Sequence, residues 1–157
     1  MRRRVLAAAA VAAAAGAAGA GAAGPAGAPP RVVAVDRDGA TVADLQLARS
    51  GAFGLAYRHS YYRRPALERF RAAADGSFRL VAVSSPSQAV LDYYEVEGTR
   101  SRRDGWWTLR LARPARFERM ALAATALGRR TLVAGSRRVP LYRDGSAAHL
   151  TIAVEGS

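Results

Sequence analysis

The chain has 157 residues with 24 arginines, 12 carboxylates, no lysine and no cysteine, and its formal net charge is +12. The absence of cysteine excludes a disulfide framework, a cysteine-ligated zinc site, a thiol nucleophile and a lipidated cysteine. A basic excess is compatible with nucleic acid or an anionic surface as a partner. However, the arginine pairs fall at predicted turns, which favours solvated side chains; contact with an anionic lipid or wall polymer is the alternative. These pairs are residues 63–64, 102–103, 129–130 and 137–138.

The N-terminus predicts export. Three arginines follow Met1, an almost unbroken run of alanine and glycine reaches Ala23, and prolines follow at 25, 29 and 30. A positive start, an apolar middle and small residues at the exit are typical of a cleavable signal peptide. We assign residues 1–28 to the signal peptide and the start of a linker, with cleavage after Ala23 or, second, after Ala28. A permanent membrane anchor is the alternative, because the run is about long enough to span a bilayer.

Residues 29–157 are predicted to form a single all-β domain, a small sandwich or barrel of about eight to ten strands. Runs of β-branched and alternating apolar residues separated by Gly, Asp and Ser turns are the basis for this prediction. The stretch 117–127 suits a strand or a helix. The predicted strands are 31–36, 40–47, 53–57, 66–73, 78–84, 89–97, 106–111, 131–134, 138–142 and 148–154.

Residues 53–72 are predicted to be a hairpin that closes around Arg63-Arg64. In that register His59 lies opposite Glu68, and Tyr57 lies opposite Phe70. Since side chains alternate across a strand, Tyr57, His59 and Glu68 share the apolar face, and Ser60 points to the other. Two buried ionisable groups are tolerated when they satisfy each other, so we expect His59 and Glu68 to be in contact.

This hairpin carries a resemblance to a known family. The sequence His59-Ser60, four residues, Pro65, two residues, Glu68, one residue and Phe70 resembles the signature of the domain of unknown function (DUF) 1850 family, over about residues 53–154. The resemblance implies a small exported or membrane-tethered domain, often encoded beside TRAP-type transporters, which use an extracytoplasmic solute receptor. One departure is the segment 84–88, Ser-Ser-Pro-Ser-Gln, where relatives have a glycine-rich segment.

The candidate binding residues are Tyr57, His59, Ser60 and Glu68, and no catalytic residue is assigned. His59 with Glu68 could act as a base and its orienting carboxylate, although a hydrogen-bonded pair that fixes the hairpin is the simpler interpretation. Ser60 points away from His59, and no nucleophile elbow is present. A metal site would need His59, Glu68 and His149, which no spacing favours. We therefore expect no metal and no cofactor.

Three functions remain open from the sequence. The first is an extracytoplasmic, periplasmic or secreted, binding or interaction module, accessory to a TRAP-type solute transporter. Its partners would be the transporter, the solute receptor or an anionic envelope surface, and we expect no nucleic acid. The second is a hydrolase-like enzyme that uses a buried His59–Glu68 pair. The third is a structural cell-envelope protein, which a continuous patch of arginine and outward aromatic residues would favour.

Overall fold

Eleven strands and one short helix make up the part of the chain that the computed structural model describes, residues 29–143, 145 and 147–156. The predicted signal peptide and the alternative anchor fall on residues 1–28, outside the described residues. The described ranges contain no helix that is long and apolar enough to cross a membrane. In chain order the elements are β1 (Arg31–Asp36), β2 (Thr41–Gln46), β3 (Ala52–Arg58), β4 (Pro65–Ala72), β5 (Phe78–Ser85), α1 (Gln88–Asp92), β6 (Gly98–Arg103), β7 (Trp106–Phe117), β8 (Arg119–Ala124), β9 (Thr131–Ala134), β10 (Arg137–Pro140) and β11 (Ala148–Glu155).

The strands form two antiparallel sheets that pack together, so the predicted all-β fold is confirmed as a sandwich. The small sheet has the order β2-β1-β11-β8, and the large sheet has the order β10-β9-β3-β4-β5-β7-β6. Burial of the inward-facing apolar side chains stabilises the packed sheets. The core between them includes Leu45, Leu55, Phe70, Phe78 and Ile152, each at most 2% exposed.

A second, smaller apolar cluster lies where α1 covers the large sheet. Val90 and Leu91 of the helix are fully buried against Ala66 and Leu109. Two consecutive buried side chains fit a helical turn lying on a sheet, whereas alternate residues of a strand face opposite sides. The predicted strand at 89–97 is therefore wrong: residues 88–92 are helical, and β7 pairs directly with β5.

The strand β6 has no counterpart among the predicted strands. All six of its residues, Gly98–Arg103, are exposed, and it is the last strand of the large sheet beyond β7. An edge strand that buries no side chain lacks the apolar alternation on which sequence prediction depends. The ambiguous stretch 117–127 contains strand β8, and the strand predicted at 106–111 continues to Phe117.

The register of the β3–β4 hairpin differs from the predicted one by four residues, because its turn is centred two residues earlier in the chain. Arg58 lies opposite Pro65, Tyr57 opposite Ala66 and Leu55 opposite Glu68. The predicted pairing of His59 with Glu68 is thus wrong, because His59 belongs to the loop 59–64. Because the register shift is an even number of residues, the predicted assignment of Tyr57 and Glu68 to the inner face holds.

Every charged residue at an outward position that the register fixes on the large sheet is an arginine, and all eight of these arginines are exposed. We call this side the arginine face. No carboxylate stands at an outward position of these strands in the described residues. The eight residues are Arg58, Arg69, Arg71, Arg79, Arg103, Arg110, Arg116 and Arg138.

Candidate functional site

The Glu68 carboxylate lies between apolar side chains on the inner side of the large sheet. Its neighbours directly across the sheet are Leu55 on β3 and Val83 on β5, and the row continues to Leu132 and Leu109. All four of these apolar side chains are at most 1% exposed. An ionised carboxylate is costly in such surroundings unless it is paired or hydrogen-bonded.

Tyr94 and Arg130 contact this carboxylate directly, and Tyr57 contacts both of them. The Tyr94 hydroxyl donates to Glu68 Oε1 at 2.6 Å, and the hydroxyls of Tyr94 and Tyr57 are 2.5 Å apart. Arg130 Nη1 lies 3.7 Å from Glu68 Oε2, and its guanidinium stacks over the Tyr57 ring at 5.1 Å. We call these four residues the carboxylate cluster. No buried side-chain nitrogen or oxygen of the described residues lacks a hydrogen-bond partner.

Burial sets the protonation of the carboxylate cluster. It raises the pKa of the Glu68 carboxyl, against the opposing effects of Arg130 and of the Tyr94 hydrogen bond. Burial and the nearby Glu68 charge raise the pKa of Tyr57 to about 12, and the same two causes raise the pKa of Tyr94. Both phenols therefore remain neutral donors at physiological pH, and they hold the carboxylate in place.

His59 is buried next to the carboxylate cluster but is not part of it. Its Nδ1 accepts a hydrogen bond from the Tyr62 backbone N–H at 3.3 Å, and its ring lies 5.1 Å from Tyr62 and 4.8 Å from Tyr93. Its backbone closes the loop through bonds with Arg63 and Arg64. Burial lowers the pKa of His59, so the neutral ring is favoured. Among the described residues, no hydrogen bond or ion pair joins His59 to Glu68.

The remaining candidate residues lie apart from His59 and Glu68. Ser60 is exposed in the loop, and His149 is on β11 of the small sheet. No group of three or more His, Asp or Glu side chains that could hold a metal ion occurs within the described ranges. The structure therefore brings Tyr57 and Glu68 into one cluster, places His59 beside it and leaves Ser60 and His149 outside it.

The serine-rich segment 84–88 has a structural role at Ser85. This side chain is fully buried, donates to the Pro65 carbonyl at 2.7 Å and accepts the Ser87 N–H at 3.1 Å. It thereby ties the chain entering α1 to the start of β4. Ser84 lies on the other side of the sheet, within hydrogen-bonding distance of Arg69 and Thr108.

An open groove of about 290 Å³ lies on the arginine face, at the end of β3. Four exposed arginines contribute to it: Arg58, Arg63, Arg129 and Arg138, which define what we call the arginine groove. In the part of the chain that the structure describes, none of these guanidinium groups pairs with a carboxylate. The rest of the lining is small or uncharged, and Tyr57 connects the groove to the carboxylate cluster behind it.

The arginine groove collects residues that are distant in sequence. Arg63, Arg129 and Arg138 come from three of the arginine pairs that the sequence analysis assigned to solvated turns. Arg63 and Arg129 have positive φ angles of 54° and 50°. This region of backbone conformation is costly for a residue other than glycine, and such strain occurs often at functional sites.

Tyr94 and Arg130 of the carboxylate cluster were missed because no local pattern distinguishes them from their neighbours.

Comparison of the chain with protein-family models, with curated proteins and with solved structures finds no match. The resemblance of residues 53–154 to the DUF 1850 family therefore stays a prediction from the sequence. The fold and the arginine groove define an all-β sandwich with a cationic groove at one end of its large sheet.

Proposed function

We propose that this chain is a non-catalytic interaction module that acts outside the cytoplasm as an accessory to a TRAP-type solute transporter. Its partner would be the transporter or the solute receptor. The family resemblance supports the transporter association, and the N-terminal sequence pattern supports export. The observation that carries the binding role is the arginine groove, where four exposed guanidinium groups have no carboxylate partner among the described residues.

The chemistry of the arginine groove fits carboxylate oxygens on a partner surface. A guanidinium group offers a planar fork of N–H donors that matches a carboxylate in two parallel hydrogen bonds. The groove is open and holds about 290 Å³, at the small end of ordinary ligand sites, which are also more enclosed and more apolar. Acidic side chains of a partner protein therefore suit it better than an enclosed solute.

The hydrolase alternative receives less support from the geometry. A general base must lie within hydrogen-bond reach of its orienting group or of a nucleophile. Here Glu68 accepts from Tyr94 instead of His59, and Ser60 points into solvent from the loop. The structural envelope protein is the second candidate, because Trp106 and Arg103 stand opposite each other on the arginine face.

The test is direct binding of the purified chain to the solute receptor and the membrane subunits of a TRAP-type transporter from the same organism. The groove variant carries Arg58→Gln, Arg63→Gln, Arg129→Gln and Arg138→Gln. We expect it to bind at least about tenfold more weakly, because each lost charged hydrogen bond removes roughly 1.5–3 kcal/mol.

A matched control removes the same number of charges elsewhere, with Arg37→Gln, Arg49→Gln, Arg119→Gln and Arg143→Gln. These arginines are exposed and lie outside the large sheet. The control should bind within about threefold of the wild type. Absence of binding by the wild type, or equal weakening in both variants, would refute the proposal. Loss of binding only in His59→Ala/Glu68→Ala would move the site to the carboxylate cluster.

A further inference from the structure

Charge is divided unequally between the two sheets. The strands of the large sheet carry twelve arginines and one carboxylate, which is the inward-facing Glu68. The strands of the small sheet carry two arginines and three carboxylates. The positive charge of the domain is thus concentrated on one side, and a one-sided charge distribution of this kind attracts an anionic partner.

Like charges stand directly opposite one another on the arginine face. Arg71 on β4 faces Arg79 on β5, which in turn faces Arg116 on β7. Directly opposed like charges destabilise an antiparallel sheet. Arg116 is compensated by Asp75 and Glu118, whereas Arg71 and Arg79 have no carboxylate partner among the described residues. This arrangement opposes folding, which favours a role in binding.

Short side chains separate the arginines of this face. The row between Thr131 and Ser101 across the sheet contains Ala56, Leu67, Ser84 and Thr108. Guanidinium groups can therefore reach outward over a surface with few other protrusions. Near the β6 edge of the arginine face, Trp106 is 39% exposed and lies opposite Arg103. Its neighbour Trp107 faces the other side of the sheet, where it packs against the apolar cluster under α1.

We propose that the arginine face docks on a lipid bilayer that contains anionic phospholipids. Charge complementarity identifies the occupant: phosphate headgroups form a two-dimensional negative surface, and the arginines extend over six neighbouring strands from β10 to β7, with Arg103 on β6 beyond them. Tryptophan is enriched at the membrane–water interface, where its ring and its N–H are both accommodated. Single-stranded nucleic acid fits less well, since Trp106 alone offers no platform for successive bases.

This docking is independent of the proposed transporter partner. Each arginine near an anionic bilayer contributes about a fivefold increase in affinity, and the effect falls off with added salt. Several arginines on one face therefore give membrane binding without any inserted helix. The arginine groove shares only Arg58 and Arg138 with this face, so the two surfaces can be removed separately.

The test is sedimentation of the purified full chain with vesicles of phosphatidylcholine alone or with about a third phosphatidylglycerol. The face variant carries Arg71→Gln, Arg79→Gln, Arg103→Gln and Arg110→Gln. The control is the variant with Arg37, Arg49, Arg119 and Arg143 changed to Gln, which removes the same charge. Residues 1–28 are identical in every variant, so their contribution to vesicle binding is the same in every measurement.

We expect the wild type and the control to bind the anionic vesicles at least about tenfold more tightly than the neutral ones, and high salt to abolish the difference. The face variant should lose at least tenfold. Equal binding by the face and control variants would overturn the proposal. In a Trp107→Phe background, a blue shift of Trp106 fluorescence is expected with anionic vesicles. An equal shift with soluble polyphosphate would assign the face to a polymer and overturn the lipid assignment.

Discussion

At the scale of single residues, Glu68 shows how a sheet accommodates a charge in its interior. The carboxylate is surrounded by Leu55, Val83 and their neighbours, and it is held by Tyr94 and Arg130. Such an arrangement fixes one packing of the surrounding side chains, because any other leaves the charge unpaired. The carboxylate cluster is therefore a structural support for the end of the sandwich that carries the arginine groove.

The raised pKa of Glu68 predicts a characteristic dependence of stability on pH. Its folded-state pKa lies above the ordinary value of 4.5 because burial disfavours the charged form. The contribution of Glu68 to stability is thus fully present below about pH 4.5 and is lost as the pH rises through the folded-state pKa. The substitution Glu68→Gln removes this titration. In urea unfolding from pH 4 to pH 8, the variant should therefore gain stability relative to the wild type as the pH rises.

Glu97→Gln is the matched control, because this carboxylate is exposed. Comparison of the two variants separates the burial of Glu68 from the general loss of one negative charge. If the Glu68→Gln variant instead loses stability relative to the wild type as the pH rises, the pairing with Arg130 outweighs the burial of the carboxylate.

The sequence identified part of this site for a sound physical reason. Alternation along β3 and β4 placed Tyr57 and Glu68 on the buried face, and the structure confirms it. The partner of Glu68 was wrong because alternation fixes which face a side chain occupies and leaves the register to the turn. Tyr94 and Arg130 reach Glu68 through tertiary folding, which no local pattern encodes.

At the scale of elements, the row of Arg71, Arg79 and Arg116 predicts that the arginine face lowers the stability of the large sheet. Arg79→Thr removes the middle charge and introduces a residue that favours strands. We expect the unfolding free energy to rise by about 0.2–1 kcal/mol. This corresponds to an increase in melting temperature of roughly 1–3 °C for a domain of this size.

Arg119→Thr on β8 is the appropriate comparison, since Arg119 lies opposite Ala153 and has no opposed charge. It should change the melting temperature less than Arg79→Thr does. A lower melting temperature for Arg79→Thr than for Arg119→Thr would mean that Arg79 stabilises the sheet, and the argument from opposed charges would fail.

The elements that the sequence missed have a common cause. Strand β6 buries nothing, and α1 is a five-residue helix whose apolar residues also suit a strand. Strands with a buried face, such as β1, β2, β9 and β11, were predicted close to their observed bounds. Hydrophobic periodicity is thus informative where one side of an element faces the core. It gives no signal for a strand that buries no side chain, and it does not distinguish a single helical turn from a strand.

At the scale of the whole molecule, the large sheet separates the apolar residues and the carboxylate cluster from the exposed arginines. The inner side of the large sheet carries the apolar core and the carboxylate cluster, and its outer side carries the positive charge. The sequence revealed the charge and the all-β class. It did not reveal that three distant arginine pairs meet in one groove, because this depends on the order of β10, β9, β3 and β4.

We propose that this protein binds carboxylates at the arginine groove and not at the His59–Glu68 region. The most direct measurement is an NMR titration of the arginine Nε–Hε resonances and the His59 ring with a hexaglutamate peptide. We expect the resonances of the four groove arginines to shift together and to shift more than those of the exposed Arg37 and Arg143. The His59 resonances should stay unchanged. The groove arginines are Arg58, Arg63, Arg129 and Arg138. Shifts centred on His59 and Arg130, or equal shifts of all exposed arginines, would contradict this proposal.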